Sequence, residues 1–403
     1  MTPENNKLRR ALNVPLLTLY GLGVTVGAGI YVLVGATAAE AGIYAPVSFV
    51  VAAIVVAFTA FSYAELSTRY PVSAGEAAYV EAGFSSGKLA TLVGLAVALS
   101  GLVSAAAVSL GAASYLHVLT GAPTSILTVA VVCMMGLIAL WGITQSVTVA
   151  AVITVIEVSG LVFVMVWGFG FADPSGIGLA EIVPPLTGAH WAGIGTASLL
   201  AFFAFVGFED MANVAEEVKD PLHTMPRAIV GTLILATILY IGTTTAVLVA
   251  VPLVTLSNSA APLSMVFSDA PVTIQQGFGI IAIVATVNGV LIQMIMASRV
   301  LYGLADRGHL PRQLGHVSPK TKTPDVATLA VVVAILLLAL TFPIDALAER
   351  TSQIVLFVFV LVNTALIRIK LRGAASEKHF HVPLIVPVLG VATSVLLFAT
   401  AFL

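Results

Sequence analysis

An all-α membrane protein is the fold class this sequence predicts, and three observations predict it. The 403 residues are 59% hydrophobic and 9% charged, with a mean hydropathy of +1.08. Ordinary soluble domains carry about 25% charged residues, so this chain cannot clothe itself in a solvated surface. Its apolar residues fall into runs long enough to cross a bilayer core, which takes about 20 residues as a helix. Its basic residues gather in alternate connections between those runs, as the cytoplasmic loops of membrane proteins do.

Eleven runs qualify, at about 14–39, 44–69, 88–118, 124–142, 145–171, 193–216, 228–253, 276–304, 325–342, 346–369 and 383–403. The connections are short, so the chain reads as one transmembrane domain over 1–403. Placing the N-terminus inside gives the cytoplasmic side Lys7, Arg9, Arg10, Arg69, Lys88, Lys219 and Arg227. The same side then receives Arg299, Arg307, Arg312, Lys320, Lys322, Arg368, Lys370, Arg372 and Lys378, and Arg350 alone falls outside. One missed span would scramble this asymmetry. The opening "MTPENNKLRR" is polar and basic, and the run after it is too long for a signal-peptide core. The eleventh run ends with the chain, which puts that end on the outer side. Cys133 is the single cysteine, so no disulfide framework is expected.

The first run carries Gly21, Gly23, Gly27, Gly29 and Gly35. Glycine costs roughly 1 kcal/mol against alanine inside a helix, so the cluster needs a reason. Close helix packing explains single small residues, whereas a helix broken at mid-membrane explains the cluster. Such a break survives only where it lines a cavity, and it leaves N–H groups free to hold an anion. The sixth run supplies a partner break in "LLAFFAFVGFEDMANVAEE", where Glu209 and Asp210 follow Gly207 at once. The two breaks lie five runs apart. That odd number inverts the second set of five relative to the first, so repeat one spans about 14–171 and repeat two about 193–369.

Ionisable groups inside apolar runs are functional candidates by default. Glu157 sits centrally in the fifth run, and proton carriage, cation or amine binding and a structural hydrogen bond are all open to it. Glu209 is a candidate for coupling or gating, Asp210 faces a neighbouring helix or vestibule, and Glu65 anchors the inner end through a basic residue. The third run offers Ser100, Ser104 and Ser109. Asn288 and Gln293 in the eighth lie five apart, off a common helix face, so one is expected at a pocket and the other against a neighbouring helix. His223, His309 and His316 fall in connections at no metal-ligand spacing. No cofactor, metal, catalytic constellation or nucleic-acid patch is expected.

The stretches "GVTVGAGIYVLVG", "ELSTRYPVSAGEAAY", "AFFAFVGFEDMANVAEEVKDPLHTMPRAI" and "SRVLYGLADRGHLP" together resemble the amino acid–polyamine–organocation permeases, nearest to their cationic-amino-acid-transporter-like branch. The resemblance implies a LeuT-like five-plus-five bundle and secondary transport of α-amino acids across the cytoplasmic membrane. It implies a substrate carboxylate on the backbone at Gly27, Ala28 and Gly29, with Thr25 and Ile30 adjoining. The substrate's ammonium would sit on the carbonyls of Phe203, Ala204 and Val206, with Phe203 also the outer gate. Runs 1, 2, 6 and 7 would move against 3, 4, 8 and 9. Some relatives that take cationic substrates carry a glutamate where Ser100 stands, so a small neutral amino acid is expected here. Many relatives have a lysine where Glu157 stands, which makes Glu157 the candidate proton carrier. The "LADRGHLP" exit swaps the family's usual order of acid and base. Exchange of amino acids or amines and non-transporting sensing are the rival functions, and the oligomeric state is left open.

Overall fold

In hydrocarbon every backbone polar group needs an internal partner, which leaves an open chain only helices with which to cross. A computed structural model describes residues 10, 12–72, 75–141, 147–175, 177–185, 188, 190–306, 308, 310–321, 323–373 and 378–402, and their regular elements are all helical. Lys7, Arg9, Arg307, His309 and Lys322 lie outside the described residues.

The first span is two helices, α1 (Val14–Val26) and α2 (Ala28–Ala41). Asn13 starts it by accepting the Leu16 N–H at 3.1 Å. The second span is α3 (Ala45–Arg69), followed by the short helix α4 (Gly75–Phe84), which is too short to cross. Then come α5 (Gly87–Thr120), α6 (Thr124–Trp141) and α7 (Val147–Gly170). Gly121, at φ 69°, closes α5 in the left-handed conformation that glycine adopts without strain. The sixth span opens as α8 (Trp191–Phe203), turns through Ala204–Gly207 and continues as a 3-10 run, Phe208–Glu217. The rest is α9 (Pro221–Ala250), the short α10 (Leu253–Ser257), α11 (Val272–Asp306), α12 (Asp325–Thr341), α13 (Ile344–Leu371) and α14 (Ile385–Ala399).

The expected spans fall on these helices, with two details that hydropathy did not carry. The break in the first span is confined to Gly27 (φ −41°, ψ −97°), and Ala28 and Gly29 already belong to α2. The second half of the sixth span is wound as 3-10 helix, which brings acidic Glu209 and Asp210 into its first turn.

Packing sorts the spans into two groups. One joins α1, α2, α3, α8 and α9, through α1 on α9, α2 on α8 and α3 on both α8 and α9. The other joins α5, α6, α11 and α12. Contacts within the first ten spans recur five spans on: α1 on α9 matches α8 on α3, and α5 on α13 matches α11 on α7. The buried apolar residues form two clusters: the larger also takes in Val93 and Tyr115 of α5 and Phe278 of α11, and Leu33, Leu200 and Phe203 are where the first group enters the smaller one. One end of the bundle is basic and hydrogen-bonded across elements. Leu12 and Lys219 pair with Glu217 and Leu12 carbonyls, Arg368 Nε donates to the Gly83 carbonyl at 3.1 Å, and Lys370 Nζ meets the Glu65 carboxylate at 2.6 Å.

Candidate functional site

The two broken helices touch at their breaks. A Cβ built on Gly29 would overlap Ala204 Cα and lie 2.9 Å from Ala204 Cβ and 3.0 Å from its nitrogen. Only a residue without a side chain lets α2 reach the turn after α8. Gly207 turns the chain at φ 115°, where a Cβ would lie 2.8 Å from Val24 Cγ1 and 2.9 Å from the Val24 carbonyl. Gly27 has room: its nearest neighbour would be the Gly23 carbonyl at 3.6 Å.

Tyr240 of α9 holds the two breaks together. Its hydroxyl lies 2.8 Å from the Thr25 carbonyl and 2.6 Å from the Ala204 carbonyl. A phenol has one proton, so it can serve only one of these carbonyls at a time. Sequence reasoning missed this residue. The available signal was a lone phenol in the apolar run "LATILYIGTT", since a buried tyrosine hydroxyl must find a partner. Tyr31 and Tyr115 tie the first span in the same way: Tyr31 donates to the Glu157 carbonyl at 2.6 Å, and Tyr115 donates to the Tyr31 carbonyl.

Around this junction lies a cavity of about 20 Å³ whose walls include Thr25, Gly29, Ser104, Phe203, Val206 and Gln293. A volume of that order holds a water molecule and no more. Val24, Val108 and Ile292 make the remaining walls largely apolar. Thr25 presents a hydroxyl with no hydrogen-bond partner among the described residues. Of the residues named from sequence, Thr25, Gly29, Phe203 and Val206 border this cavity, while Gly27, Ala28, Ile30 and Ala204 flank it along the chain. The Phe203 carbonyl already accepts the Val206 N–H at 3.1 Å, and the Ala204 carbonyl accepts Tyr240. Ser100 sits one turn further along α5, on a second cavity that also meets Val206 and Gln293.

The acids occupy distinct settings. Glu157 is fully buried in α7, where Asn288 Nδ2 donates to Oε1 at 3.1 Å and Oε2 has no partner among the described residues. Glu209 caps its own break, accepting the Gly207 N–H at 2.9 Å on Oε2. Asp210 faces the second cavity together with Glu209. Glu65 is saturated by Arg69 at 2.8 Å, Lys370 at 2.6 Å and the Val382 N–H at 2.8 Å, an anchor through basic residues at the basic end. His379 and His381 lie 3.7 and 3.8 Å from the same carboxylate. Asn288 and Gln293 diverge as their spacing requires, the first to Glu157 and the second to both cavities. His223 and His316 pair on the surface with Asp220 at 2.7 Å and Asp325 at 2.6 Å.

Two interrupted helices thus meet over a small cavity inside a bundle of apolar spans, an arrangement suited to carrying a small solute. The family model for amino acid permeases matches residues 12–403, and the chain belongs to that family. It is 29% identical to the branched-chain amino acid permease BcaP of Bacillus subtilis, over 98% of this chain and 89% of the relative. It is 29% identical to the mitochondrial cationic amino acid transporter 3 of Arabidopsis thaliana, over 91% of this chain but only 63% of that longer protein. It is also 26% identical to the methylthioribose transporter of Bacillus subtilis, over 95% of this chain and 86% of the relative.

Proposed function

We propose that this permease is a proton-coupled symporter of small neutral α-amino acids, working by alternating access in the cytoplasmic membrane with its basic end and N-terminus inside. The observation that carries the reading is the Gly29–Ala204 junction over the Thr25–Phe203–Val206 cavity. The first-turn N–H groups of α2, at Ala28, Gly29 and Ile30, have no intrahelical acceptor and no side-chain cap. They would hold a carboxylate at the positive end of the helix dipole. The carbonyls of Thr25, Phe203, Ala204 and Val206 would take the ammonium, with Tyr240 setting how many lone pairs Thr25 and Ala204 offer. Phe203, which projects into the core of the α5–α6–α11–α12 group, would close the path from outside.

A cavity of about 20 Å³ cannot admit an amino acid without opening. The α1–α2–α3–α8–α9 group would therefore move against the α5–α6–α11–α12 group, the whole chain 1–403 acting as one transport unit. The apolar walls favour an aliphatic side chain, in keeping with the name of the branched-chain relative. The acids beyond Val206 favour the second reading, a cationic substrate or an exchanger, in keeping with the name of the cationic one. Glu157 is the proposed proton carrier, because an unpaired buried charge costs several kcal/mol and Asn288 supplies a single donor.

Uptake into sodium-free proteoliposomes of labelled alanine, leucine, arginine and putrescine, with and without an inward proton gradient, tests this. Accumulation of alanine or leucine only with the gradient is expected. Arginine or putrescine uptake indifferent to the gradient would overturn it in favour of the second reading. Tyr240→Phe should leave the protein folded but lower its unfolding free energy by about 1 kcal/mol, the net worth of one hydrogen bond. The same variant should weaken substrate affinity as the two breaks loosen, which a thermal-shift assay and an uptake KM measured together would show.

A further inference from the structure

Beyond Val206, toward the basic end, lies the second cavity, of about 10 Å³, lined by Glu76, Ser100, Val206, Glu209, Asp210 and Gln293 among others. Glu76 is 3% exposed and Asp210 6%. The lining is rich in acceptors and short of donors. Tyr63 donates to Glu76 Oε1 at 3.2 Å, the Gly207 N–H to Glu209 Oε2, and Asn213 to Asp210. The Ser100 hydroxyl is spent on the Val97 carbonyl at 2.8 Å. Gln293, 7% exposed, presents an Oε1 with no hydrogen-bond partner among the described residues. No lysine or arginine forms an ion pair with any of the three acids among the described residues.

We propose that this chamber is a second cation site, which binds one small monovalent cation, a proton or a metal ion such as sodium, on the inner side of the substrate. The chemistry of the walls demands a positive or donor-only occupant, and a cavity of this size admits a particle no larger than water. Glu76, Glu209 and Asp210 do not bring their oxygens together within one ion's shell; the described acids and histidines that do gather so closely are Glu65, His379 and His381. No metal ion, monovalent or divalent, can therefore be ligated by all three carboxyls at once; the fit is a single charge held by fewer of them together with the Gln293 Oε1.

Glu76 is the residue that distinguishes this site, because α4 lies outside the spans and brings a carboxyl in from the side. Burial pushes the Glu76 carboxyl up to about 7; its own backbone hydrogen bond pulls against the rise and Asp210 adds to it. The groups facing it are Tyr63 from α3, Glu209 and Asp210 from the 3-10 run, Ser100 from α5 and Tyr79 from α4 itself. From α13, Val355, Val358 and Phe359 close the chamber, while Arg368 and Arg372 are bonded to the Gly83 and Ala82 carbonyls at the far end of α4.

The site goes beyond the Glu157 reading and does not depend on it. The test uses the purified full chain with Glu76→Gln, with Asp210→Asn as a second variant, and with Glu157→Gln as the control. Radiolabelled sodium binding is measured at alkaline pH, and infrared spectra follow the carbonyl stretch of protonated carboxyl groups through a titration across neutrality. For a sodium ion, Glu76→Gln and Asp210→Asn should each weaken binding roughly tenfold or more while Glu157→Gln binds as wild type. For a proton, both variants should remove or shift a carboxyl band that titrates near neutrality and that Glu157→Gln retains. Sodium binding and spectra unchanged in both variants would overturn the site. So would loss of both signals in Glu157→Gln alone, or displacement of the bound cation by arginine and not by alanine, which would make the chamber a substrate side-chain pocket. If uptake proves independent of any ion while the Glu76-dependent signal persists, the coupling proposal fails and this one stands.

Discussion

Gly29→Ala is expected to abolish amino acid uptake, while Gly27→Ala keeps most of it at the same amount of folded protein. The glycine cluster alone treats the two positions alike, and the packing separates them. At Gly29 the added methyl would collide with backbone and Cβ atoms of Ala204, with contacts of 2.9 and 3.0 Å. Ala204 cannot retreat, because its carbonyl is held by Tyr240 and its N–H by the Ala201 carbonyl at 3.1 Å. Overpacking of this kind costs about 1–3 kcal/mol where side chains can shift, and here the obstacle is main chain. The strain falls on the junction that would receive the substrate, so function is lost before the bundle is. At Gly27 the added methyl would meet nothing nearer than 3.6 Å. Initial uptake rates in proteoliposomes, normalised to monodisperse protein by size-exclusion chromatography, compare the two. Equal loss in both variants would mean that the break is needed for flexibility at Gly27 and not for contact at Gly29.

The spans were legible because hydropathy and basic-residue placement are properties of short windows, and both breaks were legible because glycine and aromatic clusters are unusual in apolar runs. Contacts between distant segments were not. Tyr240 reaches Thr25 and Ala204 from a different span, and nothing within "LATILYIGTT" names those partners. Glu76 lies outside the eleven apolar runs, and α4 packs inward only once α13, α5 and the 3-10 run surround it. Ser100 shows a different limit. It lies on the inward face of α5, as read, yet Ser104, one turn away on that face, is the serine on the Gly29 cavity. Residues four apart share a helix face, so the pattern fixes direction and leaves depth open by a turn. Asn288 and Gln293 show the opposite case: a spacing of five forces divergence, and they diverge.

Replacing Glu157 by glutamine is expected to eliminate gradient-driven accumulation while leaving exchange of internal for external substrate intact. The substitution keeps the shape of the side chain and an oxygen to accept from Asn288, so the packing of α7 against α1 and α11 should survive. What it removes is the capacity to take and give up a proton at Oε2, the atom with no partner among the described residues. A carboxyl that only hydrogen-bonded to Asn288 would be replaced with little consequence, since an amide serves that bond as well. A carboxyl that carries the coupled proton cannot be replaced by an amide at all. Counterflow needs the substrate site and the conformational change but no net proton movement, so it separates the two roles within one preparation. Loss of accumulation with counterflow retained would assign the proton to Glu157. Retention of both would leave Glu157 a structural acid and move the coupling elsewhere in the bundle. Loss of both, with the protein still monodisperse, would mean that Glu157 shapes the first broken helix through Tyr31, whose hydroxyl holds the Glu157 carbonyl at 2.6 Å. Tyr31→Phe would then reproduce the defect, which the same counterflow assay would show.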